Sequence, residues 1–531
     1  MRRVILRGGI VVDGADTGER RADVAVAGQR VTAVGAVDPE PGDLVVDCTD
    51  RLVLPGLIDA HSHADAAVFD PAVADALLRQ GVTTVIAGQD GVSFAPGDGR
   101  YATAYFGALN GAHPTYRGST VADLLDGWSG GSPVNVGYLV PHGTVRQLVM
   151  GDADRPPTPP ELAEMARHVA HGLAEGALGL STGLDYAPGC FADTAELVEL
   201  ARPVARAGAL YVTHMRGGYE ANLASGIDEV CEIARAADVP VHVSHLHGPV
   251  HLISSRVDAA LDDGIDLTFD AYPYRRGCSL LAMPMLPPDL LRLGARRAAE
   301  QLRDPAVRCR VTREWLPLMA LRPDLGPAWA QNITLAGIGT AEFAWAEGLT
   351  LAQAAARVDS DPGDFGLTLI AASDLAVSAV LKVPHQRPVA EFGEIFAHRA
   401  HLGSSDGIYL GGHPHPRGWG TFARYLGRHV RERRDMTWSQ AAAHLAGRTA
   451  ARHGLGDRGR IVVGAAADLV VVDPATVVDR ADYDHPRRTA VGIDDVLVNG
   501  TPVLRGGLST GERPGEGLRR NAPAAPGSWP A

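Results

Sequence analysis

LYVTHMRGGYEANLASGIDEVCEIARAADVPVHVSH, residues 210–245, holds one complete strand–helix–strand unit. LYVTH and VPVHVSH are short apolar runs rich in β-branched residues, and each ends on a histidine, His214 and His245. The segment between them, GIDEVCEIARAADV, reads as a helix. The same alternation extends outward in both directions. VTTVIAGQ (82–89), VNVGYLVPH (134–142), DLTFDAYPY (266–274) and HLGSSD (401–406) read as buried strands that end in polar residues, and ELAEMARHVAHGLAEG (161–176) as a helix. Strands alternating with helices on this scale, from 57 to about 452, predict an α/β fold: a (β/α)8 TIM-like barrel. Catalytic groups in such barrels sit at the C-terminal ends of the strands, where His214, His245, Asp270 and Asp406 fall.

Both ends of the chain have another texture. VILRGGIVVDG (4–14) and ADVAVAGQRVTAVG (22–35) alternate apolar residues with Gly-rich turns, and so do GRIVVGAAADLVVVDPATV (459–477) and VGIDDVLVNGTPVLRGG (491–507). These predict one small β-sandwich domain built from both termini, residues 1–56 plus 453–508. The stretch 285–350 reads as a helical insertion that covers the barrel mouth. Residues 509–531, rich in Pro, Gly and Ala, read as a disordered tail.

Bulk composition narrows the partners. The 531 residues carry a formal charge of −13, which argues against nucleic acid or an anionic membrane. No run of about 18 apolar residues exists, so no spanning helix is expected. The apolar N-terminal run is broken by Arg7 and Asp13 and reads as a strand, not a signal peptide. The five cysteines (Cys48, Cys190, Cys231, Cys278, Cys309) form no CxxC pair, as expected of a cytoplasmic protein. Among 49 basic residues Lys382 is the sole lysine, so lysine-dependent chemistry has one candidate. Nothing in the sequence sets an oligomeric state.

Six residues carry the chemistry expected of a hydrolytic metal site. His61 and His63 in PGLIDAHSHAD lie two apart at a strand end, so both rings point to one face. Asp90 in AGQDGVS is either an Asx-turn residue or an anionic ligand able to bridge two ions. His214 and His245 complete the nitrogen donors. Asp406 in GSSDGIYLGG has no ligand-type neighbour, which suits a base that moves a proton. Arg417 in HPHPRGWGTF is placed to clamp a substrate carboxylate. GLSTGLDYAPG (179–189) lacks the GK[ST] ending of a phosphate loop and reads as a substrate-side loop carrying Tyr186.

PGLIDAHSHAD, PHGTVR, GLSTGLDYAPG, THMRGG, SDG, HPHPRGWGTF, RGRIVVGAAADLVVVD and VLVNG together resemble the N-acyl-D-amino-acid deacylases (D-aminoacylases) of the amidohydrolase superfamily, over nearly the whole chain. The resemblance implies a tightly bound zinc on His214, His245 and Asp90. It also implies a weaker second ion on His61 and His63 that shares Asp90, with Asp406 as acid/base. Arg417, with Tyr272 or Tyr274, Ser279 and His247, would face the substrate carboxylate. Two departures stand out: the family usually has Cys at the position of Asp90, and often Lys at that of His247. The expected activity is zinc-dependent hydrolysis of the linear amide of a small N-acyl-D-amino acid. Two rivals remain: a cyclic-amide hydrolase of the hydantoinase or dihydroorotase kind, and an inactive amidohydrolase-like scaffold. The first uses a carboxylated lysine before the two strand-end histidines, and no lysine precedes His214 here.

Overall fold

A computed structural model describes residues 3–218, 222–384 and 387–520. Its centre is an eight-stranded parallel sheet. We label the strands β1 (Leu57–Asp59), β2 (Val82–Ala87), β3 (Asn135–Pro141), β4 (Gly179–Gly183), β5 (Leu210–His214), β6 (Val241–Val243), β7 (Leu267–Ala271) and β8 (His401–Gly403). They pair in chain order from β1 to β8. The sheet closes where Ala60 N donates to Gly403 O and Asp406 N to His61 O, at 3.1 and 2.9 Å. Every residue of β2 and β3 is buried, the signature of strands covered on both faces. The helices between them start on local caps. Asp70 accepts from Ala72 N ahead of Pro71, and Thr158 and Glu161 form a capping box.

β4 is a strand where the sequence reads as a loop. GLSTG has only one β-branched residue, and its glycines suggest a turn. Packing explains them. A Cβ on Gly179 would lie 2.1 Å from Leu210 O, and one on Gly183 would lie 2.0 Å from Asp90 O. Tertiary contact, not β propensity, makes this segment a strand. Gly183→Ala therefore forces the Asp90 backbone aside. We expect a loss of about 2 kcal/mol in denaturant unfolding, together with reduced metal content in the purified protein.

Strands from both ends of the chain form two sheets. One holds Val4–Arg7, Asp23–Ala27, Arg30–Gly35 and Leu44–Asp47; the other runs from Glu19–Arg21 through Leu52–Pro55 and Leu469–Val472 to Leu508–Ser509. Val4, Leu6, Val24, Val53, Leu469, Val471 and Leu497 share one core between them. The chain crosses into the barrel at Gly56, where a Cβ would strike Thr83.

Two expectations need correction. The insertion between β7 and β8 is not simply helical over 285–350. It contains a three-stranded antiparallel sheet of Arg276–Leu280, Val377–Lys382 and Ile333–Ile338, with helices such as Ala295–Gln301 and Pro362–Ala372 around it. The tail is not disordered over 509–520. Gly515 and Glu516 bond to the backbone of Ser132 and Val136, Arg520 N donates to Gly176 O, and Leu518 is buried. Pro- and Gly-rich composition hid a segment that gains order by lying along β3. The remainder of the expected tail, 521–531, lies outside the described residues.

Candidate metal centre

The barrel topology brings the scattered ligands together. His61 and His63 follow β1, Asp90 follows β2, His214 ends β5, His245 follows β6, and Asp406 follows β8. Asp90 stands at the middle. Its Oδ1 lies 3.6 Å from His61 Nε2 and 3.5 Å from His245 Nε2. Its Oδ2 lies 3.5 Å from His63 Nε2 and 3.9 Å from His214 Nδ1. Asp406 Oδ1 completes the cluster, 3.7 Å from His61 Nε2 and 3.5 Å from His63 Nε2.

Two ligand triads emerge, His61–Asp90–His245 and His61–His63–Asp406, each with its ligand atoms within 4.8 Å of one another. Asp406 thus stands close enough to be a ligand as well as a base. Both ring nitrogens of His61 and Oδ1 of Asp90 are buried with no hydrogen-bond partner among the described residues. Orphaned polar atoms of this kind are costly unless something occupies the space between them. The donor set of imidazoles and carboxylates fits zinc or a similar divalent ion.

Backbone geometry aims these groups. Asp90, His245 and Asp406 have φ of 56°, 34° and 48°, the left-handed region. That conformation costs about 1 kcal/mol for a residue with a Cβ. Strain of this sort gathers where position matters more than stability.

A second layer fixes the rings. Asn110 Oδ1 accepts from His63 Nδ1 at 2.9 Å, which leaves His63 Nε2 facing the carboxylates. Asp185 Oδ2 lies 3.1 Å from His214 Nε2, so the other nitrogen of His214 faces Asp90. Asp270 accepts from His245 N at 2.9 Å, and its Oδ2 lies 2.9 Å from His242 Nε2. Outer partners like these orient metal-binding histidines. Sequence reasoning does not assign Asn110, Asp185 or His242. Asp185 sits inside the GLSTGLDYAPG motif, where its neighbour Tyr186 draws the substrate role; Asn110 and His242 carry no local signal.

Charge is unevenly held across the cluster. Burial would raise the Asp90 carboxyl, but His61, His245 and His63 hold it well below the usual range. Burial pushes His61 down to about 4. For His63 burial acts the same way, yet hydrogen bonding to Asp406 and Asp90 outweighs it and lifts the ring to about 10. Asp406, against the effect of burial, is held low by the Arg417 guanidinium.

The substrate-side residues fall in two groups. Arg417 is fully buried and its Nη1 lies 2.8 Å from Asp406 Oδ2. Its Nε has no hydrogen-bond partner among the described residues. The Tyr272 ring lies 4.7 Å from the Arg417 guanidinium. Tyr186 packs on His214, ring centroids 5.0 Å apart, and its hydroxyl lies 3.5 Å from Ser279 Oγ. His247 contacts the His245 carbonyl through Nδ1, and burial pushes its ring down to about 3, so it is neutral. Tyr274 differs, since its ring lies 4.5 Å from Arg424. Tyr272, Tyr274 and His247 line a cavity of about 60 Å3 beside His245. Among the described residues no helix is long and apolar enough to cross a membrane.

Comparison with known proteins shows the family. A family described as "Amidohydrolase family" matches residues 44–504. An N-acyl-D-glutamate deacylase of Alcaligenes xylosoxydans xylosoxydans is 34% identical over 530 residues, covering 98% of this chain and 97% of that one. A D-aminoacylase of the same organism is 33% identical, covering 98% of each chain. The structure of N-acyl-D-glutamate deacylase from Bordetella bronchiseptica, complexed with zinc and a phosphonate inhibitor that mimics the tetrahedral intermediate, superimposes with a TM-score of 0.81. It is 30% identical and covers 98% of this chain and 99% of its own. With a match across almost the whole barrel and a third of its residues identical to full-length relatives, the chain belongs to the amidohydrolase family.

Proposed function

We propose that this chain is a zinc-dependent deacylase that hydrolyses the linear amide of N-acyl-D-amino acids to a D-amino acid and a carboxylic acid. The observation that carries the reading is the cluster of four imidazoles around Asp90, with the Arg417-paired carboxylate of Asp406 beside it. Support also comes from the full-length relatives, named as deacylases of N-acyl-D-amino acids. His214, His245 and Asp90 would hold one zinc, and His61 and His63, sharing Asp90, a second and weaker one. When bound, zinc supplies Lewis-acid polarisation of the amide carbonyl and acidifies water.

The chain's own residues supply the rest. Asp406 has Oδ2 engaged by Arg417, which leaves Oδ1 to take a proton from the attacking water. The same oxygen then delivers that proton to the leaving nitrogen as the C–N bond breaks, so the amine departs neutral and Asp406 returns to its starting state. Arg417 positions Asp406, and its Nε, which has no hydrogen-bond partner among the described residues, would face the substrate carboxylate. Tyr186, Tyr272, Tyr274, Ser279 and neutral His247 form the remaining substrate wall. Burial of Arg417, Asp406 and Asp90 strengthens the charge interactions among them.

Of the rivals, the cyclic-amide reading lacks its lysine. Lys382 is exposed on the Val377–Lys382 strand of the insertion and is not among the residues of the cluster. Against the inactive-scaffold reading stands a cluster that keeps four imidazoles and the carboxylates of Asp90 and Asp406 together. Five unpaired cysteines accord with a cytoplasmic location.

The test is release of free amine from paired N-acetyl-D- and N-acetyl-L-amino acids. We expect release from the D series. Equal release from both series would overturn the stereochemical part, and release from neither would overturn the deacylase reading.

A further inference from the structure

A second cavity, about 480 Å3, opens between the inserted antiparallel sheet and the helical segment that follows Arg417. Its walls include Arg275, Arg276, Lys382, Arg424, Arg428 and the Tyr483 ring, and no carboxylate lines it among the described residues. Five cationic side chains around one cleft are notable in a chain of net charge −13. The cluster is therefore local, not a consequence of composition, and a concave wall focuses such a field.

Four further observations give the cleft a chemical direction. Arg276 and Lys382 are direct cross-strand partners on the antiparallel pair. Like charges placed opposite each other are destabilising unless an anion joins them. Arg428 makes no ion pair among the described residues, and after burial the neighbouring Arg424 is the main influence that pushes its guanidinium down. Arg424 is partly offset by Asp479 at 3.2 Å, whereas the Arg276 guanidinium lies over the Tyr483 ring at 3.8 Å. Lastly, Tyr274, Arg275 and Arg276 line both this cleft and the small cavity beside His245. The cationic cleft thus adjoins the small cavity beside His245 across these side chains.

We infer that the cleft is a second anion subsite, which takes a carboxylate or phosphate group at the end of the substrate remote from the scissile amide. This rests on the deacylase reading and narrows it to substrates carrying a negative charge besides the α-carboxylate. The volume is within the range of small-molecule sites. Lys382 opposite Arg276, with Arg428 lining the same cleft, can contact a carboxylate from several directions.

The experiment compares N-acetyl-D-leucine, N-acetyl-D-glutamate and N-glutaryl-D-leucine in the wild type and in the Lys382→Gln/Arg428→Gln double variant. We expect KM for at least one of the two dianionic substrates to rise about tenfold, with kcat little changed and N-acetyl-D-leucine unaffected. An equal change for all three substrates, or none for any, overturns the proposal. Inorganic phosphate distinguishes a free ligand from a group on the substrate. Phosphate should inhibit the dianionic substrates alone; if it instead alters N-acetyl-D-leucine turnover through Arg428, the cleft serves a free effector and the proposal falls. Should the wild type cleave none of the three, the deacylase reading fails, and glutarate titration followed by Tm decides the cleft separately. Saturable stabilisation lost in the double variant keeps the anion site, and no stabilisation removes it.

Discussion

Asp406→Asn lowers amine release on the order of 10³-fold, the size expected when a positioned acid/base is lost. The carboxamide keeps the shape of the side chain but cannot accept and return the proton. The same change removes the anion that pairs with fully buried Arg417. An unpaired buried charge costs about 3–5 kcal/mol, so lower stability accompanies the loss of rate. The two effects separate in the double variant Asp406→Asn/Arg417→Met, which relieves the buried charge. Denaturant unfolding should show that stability recovers in the double variant, while steady-state kinetics on folded protein, compared with Arg417→Met alone, should show that turnover does not. Recovery of turnover along with stability would mean that Asp406 holds the fold and does not move the proton.

Asp90→Ala has the second large effect, and it acts through the metal. Each Asp90 oxygen faces two histidines, so one substitution removes the shared anion from both halves of the site. Losing an outer partner of a metal ligand already costs about 10–100-fold in affinity. Loss of the central carboxylate should exceed that, leaving purified protein with little bound metal. Four imidazoles without a central anion would repel a divalent cation more once any of them is protonated. Elemental analysis after dialysis checks this directly, and full retention of metal would show that Asp90 is not a ligand.

Much of the site was legible because barrel chemistry sits at strand ends. His61 and His63 announce themselves by spacing, and His214 and His245 by ending successive buried strands. Asp90 was ambiguous, since an Asp beside Gly is commonly a turn residue. Its backbone is indeed left-handed, yet its side chain points into the cluster. Asp406 illustrates another limit: the sequence suggests a base, but not that Arg417 would pair with it. Sequence order gave no hint of Asn110 behind His63, because that contact joins segments 47 residues apart. In the fold, β4 and the strands of the insertion carry little strand signal in the sequence for a related reason. Their glycines, like the close approach of Gly183 to Asp90, acquire meaning only in tertiary packing.

Metal content measured together with activity before chelation, after it, and after zinc is restored tests the proposed chemistry most directly. About one or two zinc ions per chain, activity lost on removal and regained on zinc return, is the expected result. A chain that cleaves N-acyl-D-amino acids at full rate after its metal has been stripped would contradict a metal-holding role in catalysis for the histidine cluster around Asp90.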